Sequence, residues 1–341
     1  FIVSKADVLI FHKMPVFDLI KSIRFISGGN ETIKFTRDIF LSHTNIALDR
    51  QEVLTELINN SSLRQDVEKV VNKLGYLLRE IKSSDKNRWV NPLFFIQEYY
   101  SEGFKLYRDF VEDKEILYFL REKKVKVLQE LKVYISTIKD LKPNWSDIIR
   151  EVEKMYWEVV IINRSEDTEA MWPILHKIER FEKMYIEPLL QLLSHLDFYV
   201  SLANYFVRLN KNGYDICAVE MLPDGQDRME VKGARHPLLL EKAERGEEIV
   251  ANEIIYKPEK KVLVVLGPNG AGKTTLVKTI GIIQILGQTI GWVPAKECKL
   301  RPVDRIFTHL GIEDTLLSEE GGHRHELEVL RKKFEEMAKV E

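Results

Sequence analysis

Apolar side chains in about the first two hundred residues recur at three- and four-residue spacing, which predicts one amphipathic helix after another. Between Asp49 and Ile81 a polar cluster, Asn59-Asn60-Ser61-Ser62, divides this pattern into two helices, and Ser62 is the candidate N-cap of the second. A longer pattern after Pro188 predicts a coiled-coil-like stripe on a rod about 30 Å long. Its members are Leu189, Leu193, Leu196, Val200, Ala203 and Val207. Such a stripe indicates helix–helix packing and by itself no function.

The pattern changes at Asn210, where a turn-rich stretch precedes two strand-like runs, Ile216–Leu222 and Met229–Lys232. Next comes Lys261–Leu266, which is continuously apolar after its lysine, as in a strand covered on both faces. A glycine-rich turn and a long apolar helix, Thr274–Gln288, follow it. Strand, loop and helix in this order predict a P-loop α/β domain that begins near residue 211.

Composition limits the class of protein. The chain has 341 residues, of which 45% are hydrophobic and 30% charged, enough for two or three domains with a sizeable core. Disorder, a collagen helix and a disulfide scaffold are therefore excluded. No apolar run approaches the length of a membrane span, and no signal peptide opens the chain. The net charge of −2 means that any nucleic-acid surface is local.

Two further features concern the compartment and the extent of the chain. Cys217 and Cys298 lie far apart without metal-site spacing, which indicates isolated thiols in a reducing compartment. The chain begins with Phe1 rather than Met and ends at Glu341 within a helical pattern, so we expect a fragment.

The sharpest motif is a glycine-rich loop that fits G-x-x-x-x-G-K-[ST] at every position. Glycines allow successive backbone N–H groups to point at phosphate oxygens, and the following helix adds its positive N-terminal dipole. The Lys273 ammonium is predicted to reach the β- and γ-phosphates, and the Thr274 hydroxyl to ligate Mg²⁺. The motif predicts that ATP or ADP binds with Mg²⁺. It consists of Gly267, Pro268, Asn269, Gly270, Ala271, Gly272, Lys273 and Thr274.

Binding a nucleotide does not establish hydrolysis. A P-loop ATPase also needs a second apolar strand that ends in a metal-binding Asp, commonly followed by a catalytic Glu. No such run occurs between Ile290 and Glu341, because Asp304 follows a polar stretch and Glu326 lies in a helical pattern. Either these residues lie further along the protein or the protein does not hydrolyse ATP, and the sequence leaves both possibilities open.

The stretch from Val265 through the loop to Lys296, together with Val303–Gly311, strongly resembles the MutS family of ATPases related to mismatch repair. Gly233–Pro237 is similar to the G-R-H-P element of that family, with an additional alanine, and Val250-Ala251-Asn252 resembles its short strand before the loop. The helical part is similar too, since Leu196–Ala203 resembles the end of a returning lever helix.

The resemblance implies an α + α/β fold, with a helical core and lever region followed by a P-loop (ABC-type) ATPase domain. We expect a core domain over residues 1–112, levers with a reduced clamp over 113–210, and the ATPase domain over 211–341. The resemblance also implies a homodimer that surrounds DNA and does not associate with a membrane. Such a protein would be located in the cytoplasm, associated with the nucleoid, or in a nucleus. Phosphates would contact Gly267 to Thr275, with Lys273 catalytic, and the base would lie near Ile249 and Val250.

Departures from the family pattern favour the branch that lacks mismatch recognition and acts on branched or recombining DNA. The N-terminal domain that wedges a Phe-x-Glu motif into a mismatch is not visible, because Phe110-Val111-Glu112 spells that motif by chance inside a helical block. About thirty residues stand between Leu141 and Trp172, where mismatch-binding members have a larger clamp. The loop that the resemblance makes trans-acting reads Ser318–His323, and Gly321, Gly322 and His323 stand there in place of the hydroxyls and ring usual in the family. The alternatives are another ABC-type chromosome-maintenance ATPase, or a non-hydrolysing scaffold that binds nucleotide.

Overall fold

The computed structural model describes residues 23, 25–26, 44–85, 187–223, 226, 228–243, 248–257, 259, 262–303 and 306. It also describes isolated positions at 126, 129, 150, 154, 157, 158, 161, 173, 176, 183, 331 and 335. The described residues form two compact units, one up to Lys211 and one from Asn212 onward. The predicted Phe110–Glu112 and Ser318–His323 features lie outside the described residues.

The described residues of the first unit include three long helices: α1, Thr44–Asn59; α2, Ser61–Asp85; and α3, Glu187–Lys211. Helix α3 packs against both α1 and α2. Apolar side chains from all three helices fill the core, as their spacing predicts. Those on α1 and α2 are Val53, Leu54, Leu57, Leu63, Val67, Val70, Val71 and Leu74, all almost completely buried.

The junction between α1 and α2 corrects one prediction. Helix α2 is capped by Asn60 and not by Ser62, because the Asn60 side-chain oxygen accepts a hydrogen bond from the Leu63 N–H at 3.0 Å. The Arg64 guanidinium donates to the carbonyl oxygens of Leu57 and Ile58 at the end of α1. One N–H of α2 and two carbonyls of α1 are therefore paired at a single-residue connection, and Ser62 lies inside the first turn of α2.

Helix α3 is buried more widely than a coiled-coil stripe. The central segment from Leu196 to Ala203 is buried at every position, whereas Val207 is only half-buried. One buried position is charged: Asp197 accepts hydrogen bonds from the Ser201 hydroxyl and from the Ile26 backbone N–H, both at 2.8 Å. Packing on more than one side, rather than a narrow seam, explains this pattern.

The second unit combines strands and helices. Its elements are β1, Cys217–Ala218; β2, Glu220–Met221; β3, Met229–Ala234; α4, Pro237–Ala243; β4, Asn252–Tyr256; α5, Lys273–Ile290; β5, Trp292–Val293; and β6, Glu297–Leu300. One sheet has the order β2-β6-β3-β4, with β2 parallel to β6 and the other pairs antiparallel, while β1 pairs with β5 separately. The expected mixture of helix and sheet is present, while the P-loop ATPase fold and the lever region stay predictions.

The strand predicted for Lys261–Leu266 is wrong in this structure. Residues 262–266 pair with no strand in the described part of the chain, and Val262 and Leu266 are 77% and 87% exposed. Apolar composition suits a buried strand, but a strand also needs a neighbour that accepts and donates its backbone hydrogen bonds. Strand β4, which forms the edge of the four-stranded sheet, pairs with β3 instead.

The helix predicted after the loop is confirmed and extends slightly further at each end, from Lys273 to Ile290. It ends at Gly291, whose φ of 72° lies in the left-handed region and whose N–H bonds to the Gly287 carbonyl. Its second half is buried from Ile282 to Gly287. This helix places the glycine-rich loop at one of its ends.

Candidate phosphate-binding site

The phosphate loop, defined here as Gly267–Thr274, turns sharply into the start of α5. Gly270 and Gly272 have φ angles of 82° and 84°, a conformation that side-chain-bearing residues rarely adopt. Gly272 is the N-cap residue of α5. The two glycines therefore let the backbone reverse immediately before the helix begins.

The amide groups at this helix end carry no protein cap. No side chain of the described residues hydrogen-bonds to the first turn of α5 at its N-cap. Two backbone bonds hold the loop, from the Ala271 N–H to the Pro268 carbonyl at 3.3 Å and from the Leu276 N–H to the Gly272 carbonyl at 2.9 Å. Exposed N–H groups at a helix N-terminus favour an anion through direct hydrogen bonds and the helix dipole.

Lys273 lies across the loop. Its ammonium donates hydrogen bonds to the carbonyl oxygens of Gly267 and Pro268, each at 2.7 Å. The charge thus lies beside the same turn that presents the amide groups. A phosphate bound there would meet both the amides and a positive charge.

The exposed Thr274 hydroxyl is suited to ligate a hydrated Mg²⁺ that is bound together with phosphates. Thr274 is exposed and Thr275 half-buried, while Asn269 is exposed. The described residues contain no group of three or more His, Cys, Asp or Glu side chains that could hold a metal ion. Magnesium commonly takes few protein ligands and completes its shell with phosphate oxygens and water, so a single threonine hydroxyl suits it.

Ile249 and Val250 precede β4 and are held by neighbouring side chains. The Arg235 guanidinium donates to the Ile249 carbonyl at 3.3 Å, contacts Asp215 at 3.3 Å, and lies 5.6 Å above the ring of Tyr214. The Val250 side chain is 72% exposed. Among the described residues no hydrogen bond joins these two positions to the phosphate loop, so their role in binding the base stays a prediction.

His236 is a buried histidine to which sequence reasoning assigned no role. Its side chain is 6% exposed, and its Nδ1 has no hydrogen-bond partner among the described residues. Burial, and next the positive charge of Lys278 on α5, lower its pKa from 6.5 to about 4. The imidazole is therefore neutral at physiological pH.

Two glutamines on α5 were also missed. Gln284 and Gln288 lie one helical turn apart in the largely apolar second half of α5, and both bond to the backbone of residues 301–303. The signal in the sequence was polar amides, four residues apart, inside an apolar run.

The two cysteines show no sign of reactivity. Cys217 is half-buried, Cys298 is buried, and both are free thiols. Burial, as the leading cause, raises the pKa of each thiol to about 12. Both side chains are protonated at neutral pH, and a protonated thiol is a poor nucleophile.

Comparisons with known proteins agree with the motifs. The family model described as MutS domain V matches residues 263–339. DNA mismatch repair protein Msh6 of Gallus gallus is 31% identical over 197 residues, which cover 54% of this chain and 14% of that protein. DNA mismatch repair protein MutS of Chlorobium phaeobacteroides is 36% identical over 107 residues, or 31% of this chain and 12% of the relative.

A longer region of similarity extends over both units. DNA mismatch repair protein MutS of Chlamydia muridarum is 25% identical over 308 residues, which cover 83% of this chain. The chain carries domain V of the MutS family in residues 263–339. It spans 37% of the length of this MutS protein and 14% of the chicken Msh6. Among the described helices, none combines the length and the apolarity that crossing a membrane requires.

Proposed function

We propose that this chain is part of a MutS-type ATPase in which ATP and Mg²⁺ at the phosphate loop control the binding of DNA. The start of α5 carries this proposal. Gly270 and Gly272, both in left-handed conformations, present uncapped helix amides at an exposed loop that also bears Lys273 and Thr274. The match to MutS domain V supports the same function.

The loop residues divide the work of holding the triphosphate. Backbone N–H groups from Gly267 to Thr275 bind phosphate oxygens. When the nucleotide binds, Lys273 releases its hydrogen bonds to two loop carbonyls and donates to the β- and γ-phosphates instead. Its positive charge stabilises the negative charge of these phosphates. The Thr274 hydroxyl ligates Mg²⁺, which neutralises phosphate charge. Ile249 and Val250 pack against the base.

Nucleotide binding is tested by calorimetry with ATP and Mg²⁺. Replacing Lys273 by Ala is expected to weaken binding by about ten- to a hundred-fold, because a charged hydrogen-bond donor to phosphate is lost. Lys257→Ala is the matched control, since Lys257 is an exposed lysine at the end of β4. Undetectable binding by the unaltered protein would contradict the proposal.

Control of DNA binding requires a second measurement. We expect ATP to change how long the protein stays on DNA, and Lys273→Ala to abolish this change. Equal retention with and without ATP in both proteins would exclude coupling between the two sites. The same samples, measured by light scattering, test the proposed homodimer.

The preferred DNA is the finer part of the proposal. The short stretch between Leu141 and Trp172 and the altered loop Ser318–His323 favour branched or recombining DNA over mismatches. The relatives are named DNA mismatch repair proteins, so a mismatched duplex is the competing ligand. Affinities for a four-way junction, a mismatched duplex and a matched duplex decide between them. A mismatch preference would reject the branched-DNA proposal.

Hydrolysis distinguishes an ATPase from a nucleotide-binding scaffold. We propose that the full-length protein is a slow ATPase. We also propose that it acts where the DNA is, in the nucleoid or in the nucleus. Steady-state phosphate release by the full-length protein is the test. Intact nucleotide affinity without turnover would support the scaffold. The family match favours a MutS-type protein over another ABC-type chromosome-maintenance ATPase.

A further inference from the structure

Helix α5 carries a hydrogen-bonded link at the end opposite the phosphate loop. The Gln288 side-chain amide makes two bonds to one residue: its oxygen accepts from the Val303 N–H at 3.1 Å, and its nitrogen donates to the Val303 carbonyl at 3.3 Å. Gln284 donates to the Gln288 oxygen at 3.0 Å and to the Arg301 carbonyl at 2.9 Å. Three hydrogen bonds therefore tie α5 to residues 301–303, and a fourth joins the two glutamines to each other.

The orientation of both amides follows from the backbone groups that they meet. The side-chain oxygen of Gln288 must face the Val303 N–H, and the side-chain nitrogen of Gln284 must face the Arg301 carbonyl. If either amide were reversed, two donors or two acceptors would face each other. The Gln288 oxygen uses two acceptor positions, and the Gln284 nitrogen uses both of its hydrogens. The pair is a connected network and not two isolated contacts.

These bonds replace those that a neighbouring strand would supply. Strand β6 ends at Leu300, and Val303 is 41% exposed. Gln288 exchanges a donor and an acceptor with the Val303 backbone, as a residue of an adjacent strand would. Pro302 has no N–H, so Val303 offers the first amide after that of Arg301.

The link and the loop lie at opposite ends of one helix. Gln288 follows Lys273 by 15 residues, or about 22 Å along the helix axis. Near the link, α5 packs closely on β6, because a Cβ atom at Gly287 would clash with the Leu300 side chain. Residues 273–290 form one uninterrupted helix, so a displacement at its N-terminus is expected to reach Gln288.

We propose that Gln284 and Gln288 are positioning residues that transmit nucleotide occupancy of the phosphate loop to the segment Arg301–Val303. The proposal rests on the proposed nucleotide binding. It extends that function from the loop to the start of the family-like stretch Val303–Gly311. Neither glutamine contacts the phosphate loop by a hydrogen bond in the described structure, so their role is mechanical.

Hydrogen–deuterium exchange of a peptide spanning residues 300–306 provides the readout, with ATP affinity measured on the same samples. In the unaltered protein, ATP and Mg²⁺ are expected to slow exchange about three-fold or more. Gln288→Leu removes both bonds to Val303, so exchange without nucleotide should rise about ten-fold and the effect of ATP should disappear. Its ATP affinity should stay within about two-fold of the unaltered protein.

Conservative and control variants separate transmission from general damage. Gln288→Glu retains the acceptor for the Val303 N–H and loses the donor to its carbonyl, so an intermediate effect is expected. Val277→Ala changes an exposed position on the same helix and should behave as the unaltered protein. If Gln288→Leu does not fold, Gln284→Ala, which removes the bond to Arg301, takes its place with the same expected loss of the ATP effect.

Three results would overturn the inference. One is ATP binding without any change in exchange of the 300–306 peptide. Another is an ATP effect that persists fully in Gln288→Leu. The third is the absence of ATP binding by the unaltered protein, which rejects the proposed function itself and is recognised from the affinity measurement.

Discussion

Two apolar runs lie on either side of the phosphate loop, and they have opposite fates in the structure. The run before the loop, residues 262–266, is largely exposed and pairs with no strand among the described residues. The run after it forms α5 and is buried from Ile282 to Gly287. A helix satisfies its backbone within itself, whereas a strand depends on neighbours. Equal apolarity therefore leads to different structures.

Truncating one residue in each run tests this contrast and has the largest expected effect. Ile283 is fully buried on α5, so Ile283→Ala should lower the free energy of unfolding of the second unit by about 4 kcal/mol. Leu266→Ala should lower it by less than about 0.5 kcal/mol, because its side chain is 87% exposed. Urea denaturation followed by tryptophan fluorescence measures both. Equal losses would mean that residues 262–266 are buried in solution.

The buried surroundings of α5 include His236, which makes the second unit sensitive to acid. Folding holds the pKa of this imidazole at about 4, below its ordinary value of 6.5, so the unfolded chain binds the proton more readily. The contribution of the neutral imidazole to the free energy of unfolding is complete above pH 6.5 and is lost as the pH falls through 4. The total loss is about 3 kcal/mol. Denaturation midpoints between pH 7 and 4 measure the loss. His236→Gln should show a shallower pH dependence, and an unchanged slope would refute the assignment.

The C-terminal end of α5 depends on one glycine. Gly291 has a φ of 72°, so Gly291→Ala should cost about 1.5 kcal/mol through strain in the left-handed region. Asparagine tolerates this conformation better, and Gly291→Asn should cost less than half as much. Thermal denaturation gives the comparison. Equal shifts in Tm for the two variants would show that backbone conformation is not the cause.

The smallest predicted effect concerns the N-terminal end of α2 in the first unit. Asn60→Ala removes the cap on the Leu63 N–H and should lower the free energy of unfolding by about 1 kcal/mol. Ser62→Ala should change it by only a few tenths, because Ser62 lies past the cap. A larger loss from Ser62→Ala than from Asn60→Ala in urea denaturation would restore the original assignment of Ser62.

Much of the local structure was predictable. The break between α1 and α2, the helix after Pro188, and α5 all followed from spacing and from turn residues. The phosphate loop was recognisable because its glycines, lysine and threonine are consecutive, and consecutive residues stay together in any fold. The same property made the family resemblance visible, and the family comparison confirmed it.

Other features depended on segments that are distant in the chain. The lowered pKa of His236 depends on burial and on the approach of Lys278 on α5, and the Gln288 link requires the return of Val303. No spacing rule predicts either contact. The domain limits, the binding role of the loop and the base contacts of Ile249 and Val250 remain predictions, to be tested with nucleotide.

By itself, the sequence determined where helices form and which loop is suited to bind phosphate, because hydrogen bonds and steric limits between near neighbours decide both. Only the tertiary structure decided that residues 262–266 pair with no strand among those described, that the pKa of His236 is lowered, and that Gln284 and Gln288 hold Arg301–Val303. The physical reason is that burial and strand pairing require partners from elsewhere in the chain, and these partners are set by packing.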